Sequence, residues 1–128
     1  MKPIVTLIAA LVCTANVFAG KFPDISVAEV KAVIEAKKAT IIDVNGADSY
    51  KAGHVPTAVS FDAVKANLAK SLPHDKGALV IAYCGGPGCG AYAAAAEAAK
   101  KLGYTNVKHM SAGISGWKSA GEKTEAAK

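Results

Sequence analysis

Cys84 and Cys89 sit five positions apart in the stretch Cys84-Gly85-Gly86-Pro87-Gly88-Cys89-Gly90, which carries no charged side chain. An apolar run, Ala78 to Tyr83, precedes it, and an alanine-rich run, Ala91 to Leu102, follows and stops at Gly103. The order is therefore strand, glycine loop, helix, with Cys84 at the carboxyl end of the strand, where open α/β sheets form their ligand sites. Gly85, Gly86, Gly88 and Gly90 lack Cβ atoms, so the backbone can curl with several N–H groups pointing inward. The helix beginning near Ala91 adds its positive end. Both effects favour an anion, so they should lower the Cys84 pKa and populate its thiolate. The competing reading makes Cys84 a small, inert, buried hydrophobe.

Other reactive side chains do not assemble so readily. His54, His74 and His109 lie on three separate segments, and no pair with a cysteine has a metal-ligand spacing, so neither a metal nor another cofactor is expected. The glycine loop is not a phosphate loop either, because no lysine follows in the required place.

Elements to position Cys84 can be read along the chain. Ser26-Val27-Ala28-Glu29 is a capping box, and Val27, Val30, Val33 and Ile34 recur at helical spacing, which predicts a helix over 27–37. Thr40 to Val44 predicts a buried strand containing Asp43, a residue expected to accept backbone N–H bonds near the loop. Ala47 to Ala52 predicts a helical turn, Ala58 to Phe61 a strand, and Asp62 caps a helix running to about Leu72. A strand over 106–110 and a helix over 114–120 follow, the latter with Trp117. Apolar strands alternating with helices predict one open α/β domain with a mainly parallel sheet.

Composition sets the surroundings. The chain has 128 residues, 52% hydrophobic and 20% charged, with a formal net charge of +5. All fifteen basic residues are lysines, spread along the chain. That pattern is a solvated surface and excludes a nucleic-acid reader, which needs clustered, usually arginine-rich patches. Net positive charge can still steer small anions. Met1-Lys2, the uncharged apolar run Ile4 to Val12 and Val17-Phe18-Ala19 form the pattern of a secretory signal peptide cleaved before Gly20. The organisation expected is a signal over 1–19, a domain over 20–121 and a polar, fraying tail over 122–128. This predicts export, into the periplasm in a bacterium, without stable membrane insertion after cleavage. Cys13 would leave with the signal, so only Cys84 and Cys89 would remain.

From about Asp24 to Gly121 the chain resembles a single rhodanese domain. The resemblance rests on Ile42-Asp43-Val44, on Tyr50-Lys51-Ala52-Gly53-His54-Val55-Pro56 with Ala58, and on Ala82-Tyr83-Cys84 with its loop. It continues through Leu102-Gly103-Tyr104 and Ser111-Ala112-Gly113-Ile114-Ser115-Gly116-Trp117. It implies a parallel sheet of about five strands with helices on both faces. It also implies sulfurtransferase activity: the Cys84 thiolate takes a sulfane sulfur from a donor such as thiosulfate, and the persulfide passes it to cyanide or a thiol. The amides of Gly85, Gly86, Gly88 and Gly90 would hold the small anionic donor.

Two positions depart from the family pattern. Cys89 stands where many rhodanese loops carry a basic residue, and Asn45 follows Asp43-Val44 where arginine is common. Without arginine the bidentate grip on an oxyanion is lost, which leaves room for weak thiosulfate binding and for a persulfide or polysulfide donor. Cys89 opens two alternatives. It could resolve a Cys84 persulfide, making the chain a thiol-disulfide or polysulfide-reducing protein. Alternatively it points away as a small loop residue. A non-catalytic rhodanese-like binding module is a third reading, and the oligomeric state is left open.

Overall fold

The structure is a computed structural model and describes residues 22–127. The expected export signal, with Cys13, lies outside the described residues. Four parallel strands, β1 (Ala39–Asp43), β2 (Val59–Ser60), β3 (Leu79–Tyr83) and β4 (Asn106–His109), form one sheet in the order β2-β1-β3-β4. Helices α1 (Val27–Glu35), α2 (Ala47–Ala52), α3 (Phe61–Val64), α4 (Leu68–Ser71), α5 (Tyr92–Lys101) and α6 (Gly113–Ser119) precede, connect and follow them.

The pleat divides the core in two. Ile42, Val80 and Ala82 face a cluster with Leu68 and Leu72 and with Tyr92, Ala95, Ala96 and Ala99 of α5. Ile41, Ile81 and Tyr83 face the other way, toward Val30 of α1 and Trp117 of α6. Strands buried on both faces read as continuous apolar runs, which is why β1 and β3 show no polar alternation. Ala95, Ala96 and Ala99 are fully buried, and their small side chains let α5 settle close to the sheet. The capping box forms as expected: Ser26 Oγ accepts from the Glu29 N–H at 3.1 Å, and Glu29 Oε1 accepts from the Ser26 N–H at 3.1 Å. These bonds, chiefly the one from the Ser26 backbone, hold the Glu29 carboxyl below its ordinary pKa.

Three expectations are corrected. The sheet has four strands rather than about five. Asp24 makes only a single parallel bridge to His109, because Pro23 has no N–H to donate and Ser26 ends the extended stretch by capping α1. The helix expected from Asp62 to Leu72 is divided into α3, a 3₁₀ turn over Lys65–Asn67 and α4. Asn67, at φ −139° and ψ 46°, leaves helical geometry, and Ser60 rather than Asp62 takes the cap position. Finally, the polar tail is hydrogen-bonded to the fold as far as Ala127 rather than fraying. The His54 N–H donates to Glu125 O and the Glu125 N–H to His54 O, both at 2.9 Å, and the Ala127 N–H reaches Lys51 O at 3.1 Å. Trp117 Nε1 donates to Lys123 O at 2.7 Å. Buried backbone and indole donors need acceptors, and the tail supplies them.

Candidate active site

Cys84 follows the last residue of β3 and is 1% exposed. The loop after it is suspended by its carbonyl groups. Tyr83 O accepts from the Val44 N–H, Cys84 O from the Ile114 N–H and Gly85 O from the Ser115 N–H, each at 2.9 Å. The first turn of α6 thus holds the loop from outside. Gly113 makes this approach possible: its φ is +65°, and a Cβ there would lie 2.5 Å from Gly86 N and 2.7 Å from Cys84 O. By contrast, the N–H groups of Gly85, Gly86, Gly88 and Gly90 donate to no backbone carbonyl among the described residues. Backbone N–H groups left without an acceptor in a glycine loop are available to an anion. No acidic residue occupies the first turn of α5, whose positive end opens on the same loop.

Cys89 returns to Cys84 through a tight turn. The Cys89 N–H donates to Gly86 O at 3.1 Å, Pro87 takes the second position, and Gly88 takes the third with φ +87°. This is the type II arrangement, in which proline presets the second residue and glycine supplies the positive φ of the third. The two sulfurs are joined in a disulfide, with Cα atoms 6.4 Å apart. Of the two readings left open for Cys89, pointing away is therefore ruled out in this state. Cys84 is buried and Cys89 only half-buried, so Cys89 is the more exposed residue of the pair. Val44, Val59, Phe61, Val64 and Cys89 itself pack on the core cluster that contains Cys84.

Asp43 does not touch either sulfur. It lies on the opposite face of the sheet, and its Oδ1 accepts from the Asn45 N–H at 2.8 Å, the kind of backbone bond expected of it. Its Oδ2 accepts from the Tyr83 hydroxyl at 2.6 Å, and that hydroxyl accepts in turn from the Val55 N–H at 3.0 Å. Burial, then the bond to Asp43, raise the Tyr83 pKa far above the ordinary phenol range. The role of Tyr83 was hidden in the sequence because it reads as one more apolar strand residue. The Pro87-Gly88 dipeptide, in contrast, was a legible turn signal that would have returned Cys89 to Cys84.

The histidines stay apart. His54 Nδ1 donates to Tyr50 O at 2.8 Å, and its ring stacks on Tyr50, tying down the loop before β2. His109 stacks on Tyr92 with ring centroids 3.4 Å apart, and its Nε2 is buried without a hydrogen-bond partner. Burial lowers the His109 pKa, partly offset by Asp24.

Residues 26–120 match the family model of the rhodanese-like domain. Among solved structures, a Bacillus halodurans protein is similar at 28% identity and a TM-score of 0.64, over 81% of this chain and 77% of that one. A rhodanese-related protein from Thermoplasma volcanium aligns at 21% identity and a TM-score of 0.65, over 83% of this chain and all of its own. The 3-mercaptopyruvate sulfotransferase of Escherichia coli aligns at 20% identity and a TM-score of 0.66, over 84% of this chain but 51% of that one. No curated protein sequence matches this chain. With residues 26–120, most of its length, matched by that family model, the chain belongs to the rhodanese-like domain family.

Proposed function

We propose that the chain is a sulfurtransferase in which reduced Cys84 takes a sulfane sulfur from a small donor and carries it as a persulfide. The observation that carries this reading is the placement of Cys84 in a loop whose carbonyls are tied and whose four glycine amides are uncommitted. Such a cradle favours thiolate over thiol and persulfide anion over its neutral form. The family to which the chain belongs includes proteins named as sulfurtransferases, which supports the same chemistry. A thiol or cyanide would take the sulfur onward. The pattern of residues 1–19 would put this reaction in an exported compartment, and a secreted protein beginning at Gly20 would bear that out.

The test is release of the donor's leaving group, which does not depend on the later fate of the sulfur. Reduced protein at stoichiometric concentration should liberate sulfite from thiosulfate or glutathione from glutathione hydropersulfide. Cys84→Ser should lose that release, and a variant releasing as much as the wild type would refute the assignment.

A further inference from the structure

We propose that Cys89 completes a second activity at this site: it resolves the Cys84 persulfide, releases sulfide, and makes the chain a reductase for hydropersulfides. The inference rests on the persulfide reading above. It is carried by the disulfide between Cys84 and Cys89 and by the Gly86–Cys89 turn that delivers one sulfur to the other.

The Cys84 thiolate attacks the sulfane sulfur of a hydropersulfide, R–S–SH. A bond forms from Cys84 Sγ to that sulfur, the R–S bond breaks, and RS⁻ leaves with the electron pair. The Cys89 thiolate then attacks Cys84 Sγ. The Sγ–Sγ bond forms, the bond to the outer sulfur breaks, and HS⁻ leaves. Two thiols have been oxidised to a disulfide, and one sulfane sulfur has been reduced to sulfide. An external dithiol closes the cycle by thiol–disulfide exchange.

Two further observations fit this cycle. The bonded pair is asymmetric, with Cys84 buried and Cys89 half-buried. Attack by the dithiol on the more exposed Cys89 would expel Cys84, whose thiolate lies beside glycine amides that have no backbone acceptor. A good leaving thiolate accelerates exchange at that step. The loop also has room to open. A Cβ at Gly88 or Gly90 would meet nothing within 4 Å, so the tip that carries Cys89 is bounded by open space. A stored persulfide would be protected by a loop holding its second thiol away. This loop instead brings the second thiol to bonding distance, where proximity alone raises the effective concentration of the attacking group.

The deciding experiment is a single turnover of the fully reduced chain with glutathione hydropersulfide under anaerobic conditions. Intact mass and trapped sulfide are followed above the protein-free background. The wild type should release glutathione and sulfide together and end as the disulfide. Cys89→Ser should still release glutathione, hold one extra sulfur at Cys84, and yield sulfide about a hundredfold more slowly. Cys89→Ala, run in parallel with a circular dichroism check of folding, should behave the same way. A wild type that keeps a stable persulfide beside a free Cys89 would overturn the inference and leave the transferase reading standing. Equal sulfide release by wild type and Cys89→Ser would overturn it likewise. If no chain releases glutathione, the inference falls, and the transferase reading is decided separately by sulfite release from thiosulfate.

Discussion

The Tyr83 hydroxyl donates to Asp43 Oδ2 at 2.6 Å across the two central strands, one residue before Cys84. Asp43 is 1% exposed and Tyr83 is 0% exposed, so this is a polar bridge inside the core. The same hydroxyl accepts from the Val55 N–H, which joins the ends of β1 and β3 to the segment leading into β2. The register Asp43 to Tyr83 in the parallel ladder puts the two residues side by side, so the bridge costs little backbone distortion.

Replacing Tyr83 by Phe removes the hydroxyl and leaves the Val55 N–H and one Asp43 oxygen buried without it. Tyr83→Phe should destabilise the fold by about 1–3 kcal/mol, the usual penalty for stranding buried polar groups. Urea denaturation should show a lower midpoint with an unchanged slope. An unchanged midpoint would show that the bridge contributes nothing net.

Gly113→Ala should strike the loop rather than the core. The added Cβ would fall 2.5 Å from Gly86 N, and its backbone would be forced to keep φ at +65°. Overpacking and left-handed strain each cost about 1–3 kcal/mol, and the half-exposed loop is the part that can move. The expected result is at least a tenfold slower release of the donor's leaving group by reduced protein, with the far-ultraviolet spectrum retained. A variant with wild-type kinetics would mean that the loop tolerates being pushed off α6.

His109 gives the fold a defined response to acid. Its folded pKa lies below the unfolded value because burial penalises the imidazolium. Above both values the ring is neutral in both states and contributes no pH dependence. As pH falls through the unfolded value of about 6.5, the unfolded chain takes up the proton first, so stability drops until the folded pKa is reached. The melting temperature should therefore fall between pH 7 and pH 5. His109→Phe, which keeps a ring against Tyr92, should show a shallower fall. An identical pH profile in the two proteins would remove His109 from the account.

Deleting residues 124–128 distinguishes an anchored tail from a loose one. The deletion removes the partners of the buried His54 backbone and of Lys51 O. A loss of about 1–3 kcal/mol is expected, read as a melting temperature lower by several degrees. A deletion that left the melting temperature unmoved would return the tail to the fraying first expected of it.

Much of this arrangement was legible in the residues. The capping box at Ser26, the apolar runs of β1 and β3 and the glycine stretch after Cys84 each signal one structure by local chemistry, and each forms. What escaped depends on contacts between distant segments. The anchoring of 122–127 needs His54 as partner, and nothing in Glu122-Lys123-Thr124-Glu125 signals pairing by itself. The division of the helix over 61–71 likewise reflects packing, since Leu68 and Leu72 are buried in the sheet cluster and pull the chain out of continuous helical register. Gly113 carries no local signal of its role, which is to let one backbone lie against another.

The two edges of the sheet bear on how copies of this chain behave when crowded. β2 is two residues long, and the outer side of β4 is occupied near His109 by the Pro23–Ile25 segment, whose proline can donate no hydrogen bond. An open sheet usually invites a neighbouring molecule to add a strand along such rims, which is the route to sticky aggregates and exchanged strands. Here one rim is too short to template a strand, and the other is partly capped by the chain's own lead. The short β2 rim and the Pro23–Ile25 segment thus leave little continuous edge for strand addition, and removing Phe22–Ile25 would uncover the β4 rim beside His109.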